Sequence, residues 1–237
     1  MNRAKLCVLV LVVALGVLVL AVPVAGAAQK VIPPNATPNG LSYSEWSVKW
    51  WQWVLSIPQD ENPCFDQTGE NVAVGQEGHV WFLAGTMEPD NVGAMNATRT
   101  ATIPHGTMLF VPILNGEMSP PEAPGATWQD LIDIVTSSVD VAQLTELEVD
   151  GRAVPVTQEF RVHSTAVEAD APTYTMPPGG VLEPYGVPPG TYPFYCDGYY
   201  VMLAPLATGE HTLVIHGRSG TDTWTFETEV TYYLTVE

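Results

Sequence analysis

The sequence predicts a mainly β chain: an antiparallel β-sandwich, immunoglobulin-like or jelly-roll-like, carrying two helices at about 43–57 and 128–139. Three observations predict it. Trp224, Phe226, Thr228, Val230, Tyr232, Leu234 and Val236 alternate with Thr225, Glu227, Glu229, Thr231, Tyr233 and Thr235, the period-two pattern of a strand with one wet face. Short β-branched and aromatic runs recur through the chain between Gly, Pro and Asn turn signals. Helical periodicity, by contrast, appears in only two places, so the helices decorate the sheets.

The first helix opens at a capping box, Ser42 with Glu45, and is stopped by Pro58. Tyr43, Trp46, Trp50, Trp53, Val54 and Ile57 share one arc, with Val48, Trp51 and Leu55 on the far side. The apolar arc is wider than one packing face needs, so the helix is either covered on two sides or presents Trp51 to a partner. Thr127 and Asp130 cap the second helix, whose Leu131, Ile132, Val135 and Val139 recur at helical spacing.

The strand candidates are 80–84, 98–103, 108–114, 144–149, 153–157, 160–164, 199–203, 210–217 and 224–236. The last is too long for one flat strand, so a bend or bulge is expected inside it. Pro112 makes its strand an edge or a bulged one. Asp150-Gly151 is a hairpin turn signal, and the proline-rich residues 171–193 read as a long irregular loop.

Residues 1–27 read as a cleavable secretory signal: Arg3 and Lys5, an apolar run from Leu6 to Val22, and small residues ending at Ala27. An uncleaved anchor is the competing reading, because the run approaches the roughly 18–20 residues that span a bilayer. Residues 28–41 then read as a flexible leader and 42–237 as one domain. Removing the first segment takes the formal charge from −18 to −20, since every acidic residue lies beyond it. Such a surface repels nucleic acid and anionic lipid and would attract cations or basic partners, while the signal segment predicts a secreted location with an extracellular glycan or protein as partner. Asn35 and Asn96 sit in glycosylation triplets.

Cys64 and Cys196 survive processing, and an oxidising compartment predicts a disulfide between them. No cofactor motif is present, and the five histidines form no chelating pair. Asp60, Glu61 and Asp66 lie in an oxygen-rich loop that reads either as a calcium site or as an Asx-rich turn. Asp66, Gln76, Asn115, Glu117 and Asp197 are the candidate binding residues, because they fall in the three connections too long for simple turns, which a sandwich gathers at one end. Convergence of those connections would place Asp66 and Asp197 on the same side of the domain.

Several runs carry a resemblance over nearly the whole mature chain. They are Tyr43-Ser44-Glu45-Trp46 to Trp53, Asn62-Pro63 to Asp66 with Thr68-Gly69, Gly75-Gln76 leading into Val80-Trp81-Phe82-Leu83-Ala84-Gly85, and Pro112-Ile113-Leu114-Asn115. Asp197-Gly198-Tyr199, Gly209-Glu210-His211-Thr212 and Val230-Thr231-Tyr232 extend them. The chain resembles a group of uncharacterised secreted microbial proteins, and the resemblance brings no activity with it. Similar proteins carry cysteines at the positions of Val72 and Ala101, which puts any disulfide carried over from them in question.

Three functions are consistent with this reading. A non-catalytic secreted or cell-envelope module binding a glycan or protein fits the sandwich, the aromatic excess and the missing catalytic motif. A glycan hydrolase would need two carboxylates, for which Asp66, Glu117 and Asp197 are the candidates. A structural surface or appendage subunit would need a bare edge strand.

Overall fold

Both capping boxes form, and they set the helices where the sequence puts them. In the computed structural model, which describes residues 29–87 and 93–237, α1 is Tyr43–Leu55 and α2 is Trp128–Asp140. The Ser42 side chain accepts from the Glu45 backbone while the Glu45 carboxylate accepts from the Ser42 N–H, and Thr127 and Asp130 repeat the exchange. The signal segment and its cleavage point lie outside the described residues. Asn35 and Asn96 are exposed.

The strands, in order, are β1 (Val31–Ile32), β2 (Val80–Phe82), β3 (Gly93–Ile103), β4 (Met108–Met118), β5 (Ala142–Val149), β6 (Arg152–Val154), β7 (Arg161–His163), β8 (Thr173–Met176), β9 (Gly190–Pro193), β10 (Tyr195–Leu203), β11 (Gly209–Thr221) and β12 (Trp224–Val236). They build a mainly β fold from two five-stranded sheets. One sheet runs β1-β10-β4-β2 with β7 also on β10, the other runs β3-β12-β11-β5-β6, and β8 and β9 form a separate hairpin. The sheets are mixed: β2 lies parallel to β4 and β3 parallel to β12. Period-two patterning reports which face a side chain takes and is silent on strand direction.

The sheets touch where β11 crosses β4. A Cβ added to Gly217 would stand 2.2 Å from the Ile113 carbonyl, so only glycine admits that approach. Val111, Leu213, Ile215, Val230, Tyr232 and Leu234 are buried in the core.

Three expectations change. Residues 29–41 are an anchored segment instead of a flexible leader: Val31 and Ile32 pair with Leu203 and Met202, and the Gln29 amide donates to the Ala204 carbonyl at 2.7 Å. β12 pairs with β11 residue by residue along its whole length, with no bulge, because β11 is equally long and shares its twist. The strand of Pro112 is bulged, as read: β10 steps from Tyr199 opposite Leu114 to Tyr200 opposite Pro112 and leaves Ile113 unpaired. Residues 171–193 contain the β8–β9 hairpin, held by Tyr174 packing on Tyr192 and Phe194. The Asp150-Gly151 turn forms as read, with both residues at positive φ.

Trp46, Trp50 and Trp53 are buried, and so is Trp51, whose indole N–H donates to the Tyr200 hydroxyl. The broad apolar arc of α1 is therefore covered on both sides. Among the described residues, no helix is long and apolar enough to cross a membrane.

Candidate functional site

The last turn of the β4 pleat decides which polar side chains meet. Glu117 and Cys196 are paired across β4 and β10, as are Gly116 and Asp197, so the two pairs face opposite sides of the sheet. On one side, Cys196 Sγ lies 3.8 Å from Ser47 Oγ of α1. On the other, a Cβ on Gly116 would lie 3.6 Å from Val135 and Ser138 of α2. The sheet thus separates Glu117 from Asp197.

On the α1 side lies a cavity of about 260 Å³. Trp50, Trp51, Val54 and Leu55 of α1 form one wall, Pro112 to Glu117 of β4 a second, and Phe226 and Thr228 of β12 a third. Val181, Leu182 and Tyr185 close it from the chain between β8 and β9, and Met87, Phe226 and Tyr185 reach solvent at its mouth. Two acids, Glu117 and Glu122, line it, and no lysine, arginine or histidine does.

Those two acids perturb each other's ionisation. Burial, then the charge of Glu122, pushes Glu117 well above the usual carboxylate range. Burial also raises Glu122, against the opposing pull of the Ser119 hydroxyl and N–H, which donate to its Oε2 at 2.6 and 2.8 Å. The Ser119 hydroxyl meets the Tyr174 hydroxyl at 2.9 Å, which ties the pair to the β8–β9 hairpin. Glu117 Oε2 has no accessible surface, and among the described residues no N–H or hydroxyl reaches it.

Several other polar groups of the cavity are committed. Trp50 Nε1 donates to the Leu83 carbonyl at 2.7 Å. The Tyr200 hydroxyl accepts from both Trp51 Nε1 and Asn115 Nδ2 at 3.0 Å. Asn62 donates to the Val54 and Ile57 carbonyls and accepts from the Cys64 N–H.

Of the residues singled out from the sequence, the structure brings Asn115 and Glu117 together here. The rest serve elsewhere. Asp66 accepts from the backbone of Thr68, Gly69 and Asn71 and from the Thr68 hydroxyl, all at 2.8 to 3.0 Å. Burial pushes its carboxyl up, but these bonds together outweigh it and hold the acid below its usual value. A carboxylate so saturated by N–H donors caps its own loop, and Asp60 and Glu61 are exposed without converging on it. The calcium site is thus replaced by the Asx turn, and no group of three acid, His or Cys ligands occurs among the described residues.

Gln76 extends β2: it accepts from the Phe82 N–H and donates to the Phe82 carbonyl at 2.9 and 2.8 Å. Asp197 takes two donors from Arg161, whose third nitrogen reaches Asp140. Asp66 and Asp197 therefore close separate local structures and share no cleft.

Cys64 and Cys196 are free, buried thiols, which corrects the expected disulfide. Cys64 lines the cavity, while Cys196 is held at the Ser47 hydroxyl. Burial raises both to about 12, against Arg99 beside Cys64 and the Ser47 and Ser164 contacts at Cys196.

Sequence reasoning missed Glu122. Its signal was present: Ser119 three residues before a glutamate is a capping-box spacing, hidden by Pro120 and Pro121.

No protein family and no curated protein matches the chain. Among solved structures, the solution structure of amebosin aligns with 61% of this chain and 99% of that one at 16% identity, with a TM-score of 0.20. A likeness that slight carries no argument about fold or function.

Proposed function

We propose that the chain is an exported, non-catalytic binding protein that takes a small, largely apolar molecule into the cavity between α1, β4 and β12. The observation that carries this reading is the cavity itself: about 260 Å³, walled by tryptophan and aliphatic side chains. That volume is just below the roughly 300 Å³ at which small-molecule pockets begin, so the ligand is small.

The other two readings have less support. Glycoside hydrolysis uses two free carboxyl groups about 5–10 Å apart, whereas Asp66 is saturated by its own loop, Asp197 is paired with Arg161, and the sheet separates Asp197 from Glu117. An assembling subunit needs a bare edge, but the β3 edge already donates its Thr100 N–H to the Thr68 carbonyl at 2.9 Å.

Cavity filling tests the proposal. A Cβ on Gly85 would meet only Thr228 Oγ1, at 3.9 Å, so Gly85→Leu grows into the space without a clash at its first atom. Toluene should raise the melting temperature of the parent, by mass action, and leave the folded Gly85→Leu variant unmoved. An equal response from both proteins, or none from the parent, overturns the reading.

A further inference from the structure

We propose that the end of β4, from Leu114 to Met118, receives an extended basic peptide of a partner protein as an added strand, one aliphatic side chain of which enters the cavity. The inference rests on the binding reading above and deepens it by naming the guest.

The outer side of β4 is covered only in part. β10 pairs with β4 along its length, whereas β2 pairs with the other side at Met108 to Phe110 alone. β11 then closes on the Ile113 carbonyl at Gly217. Beyond that crossing, among the described residues, no strand pairs with the outer side of β4.

Which residues face that side follows from β10. The Cys196 carbonyl accepts from the Ser164 N–H at 2.9 Å and the Cys196 N–H donates to the Ser164 hydroxyl at 3.1 Å, so both groups point away from β4. In an antiparallel ladder, the residue opposite such a position also turns its backbone groups outward. Glu117 is that residue, and Asn115, opposite Gly198 in unbroken register, repeats the geometry two positions on. Among the described residues, no backbone group outside the β4–β10 ladder pairs with the N–H or C=O of either. Two donors and two acceptors are thus presented roughly 6.8 Å apart, the repeat that alternate residues of another strand match. Gly116 between them is half-buried and has no side chain, so the surface it exposes is backbone.

The space beside this edge suits a strand. The 260 Å³ cavity lies on the α1 face. A second cavity of about 220 Å³ lies toward α2, walled by Ser138 and Val139 of α2, Ser219 of β11, and Trp224 and Phe226 of β12. Leu114, Asn115 and Phe226 border both. Side chains of a strand alternate between the two faces of its sheet, so one laid along Asn115 and Glu117 would fill the two cavities in turn. Tryptophan and aliphatic walls on the α1 face select an aliphatic residue there.

Charge selects the partner. Twenty-six acidic residues against eight basic ones give the chain a formal charge of −18, and neither cavity is lined by lysine, arginine or histidine. Such a surface attracts a basic segment and repels an acidic one, a second copy of this chain included.

Isothermal titration with the peptide acetyl-Lys-Val-Leu-Val-Lys-amide tests the proposal. Methylating the leucine amide blocks one edge of that strand and methylating both valine amides blocks the other. The parent should bind one methylated form as tightly as the plain peptide and the other about tenfold or more weakly, the scale of one or two lost hydrogen bonds. Glu117→Pro removes an outward N–H without removing a bond to β10, so it should weaken the plain peptide to a similar degree while toluene still stabilises the fold. Should that variant not fold, the two methylated peptides decide the matter on the parent alone. Equal binding of both methylated forms, or loss of both, overturns strand addition. A parent that toluene stabilises but that ignores the plain peptide overturns the strand and leaves the cavity reading standing, whereas a response to neither overturns both. A parent that dimerises and ignores the peptide gives the edge to a second copy and overturns the proposal too. At low salt a glutamate-flanked counterpart of the peptide should bind more weakly, and equal binding would overturn the basic partner.

Discussion

The indole N–H of Trp51 donates to the hydroxyl of Tyr200 at 3.0 Å inside the core, and the amide of Asn115 reaches the same oxygen from β4. One buried atom thereby joins α1, β10 and the cavity wall. Tyr200→Phe should cost about 1–3 kcal/mol, because the Trp51 N–H is left buried without an acceptor. Paired with Trp51→Phe in a double-mutant cycle, the two losses should be less than additive. Urea unfolding curves that add within error would show that the contact contributes nothing.

Trp50 is 3% exposed and packs edge-on against Trp51 and Trp53. Trp50→Ala should destabilise by about 3–5 kcal/mol, the cost of a large cavity in a tight core. A melting temperature within a degree or two of the parent would contradict this packing.

Asp197 is 2% exposed, and among the described residues its only cationic partner is Arg161. Asp197→Ala should cost about 3–5 kcal/mol by leaving Arg161 half-buried with Asp140 alone. The combined Arg161→Met/Asp197→Leu variant should recover most of that loss, and toluene binding should be untouched in both. Loss of binding in a variant that keeps its fold would return Asp197 to the site.

The acid pair makes stability depend on pH with a definite sign. Folding raises the proton affinity of Glu117 and Glu122, so their contribution is complete below the ordinary value of 4.5 and is lost as pH rises through the raised values. Glu117→Gln removes the larger part. Its stability relative to the parent should therefore grow as pH climbs above 4.5 and vanish below it. A difference that is constant with pH, measured by denaturant midpoints, would show that Glu117 is ionised without penalty.

Both thiols should be silent in the folded protein and free in the unfolded one, since burial raises each to about 12. Thiol counting on unreduced, denatured residues 28–237 should find two. Finding none would restore the Cys64–Cys196 disulfide.

What could be read from the chain was whatever is local. Ser42 with Glu45 and Thr127 with Asp130 mark both helix starts because a capping box is complete within four residues. The alternation from Trp224 to Val236 marks β12 because a pleat repeats every two residues. Pairings across long separations could not be read in this way. The parallel partnership of β3 with β12 and the distance between Cys64 and Cys196 both depend on how the sheets close. Of the five binding candidates, Asn115 and Glu117 lie at the cavity because they sit two apart at the end of β4 and share a face. Asp66 failed as a candidate because nearby backbone N–H groups claim it first, and Asp197 because the intervening Gly116 register turns it toward α2.

The position of β12 has a consequence in time. It follows β3 by roughly 130 residues in synthesis, yet it lies between β3 and β11. Until residues 224–236 are available, β3 has no strand to pair with in its own sheet and β11 shows one open side, so an emerging chain holds two unsatisfied edges. Assembly that waits on so distant a pairing is slow. Removing residues 225–236 would therefore take out an interior plank of the sheet, and the altered chain should behave as an unfolded polymer instead of a slightly shortened domain.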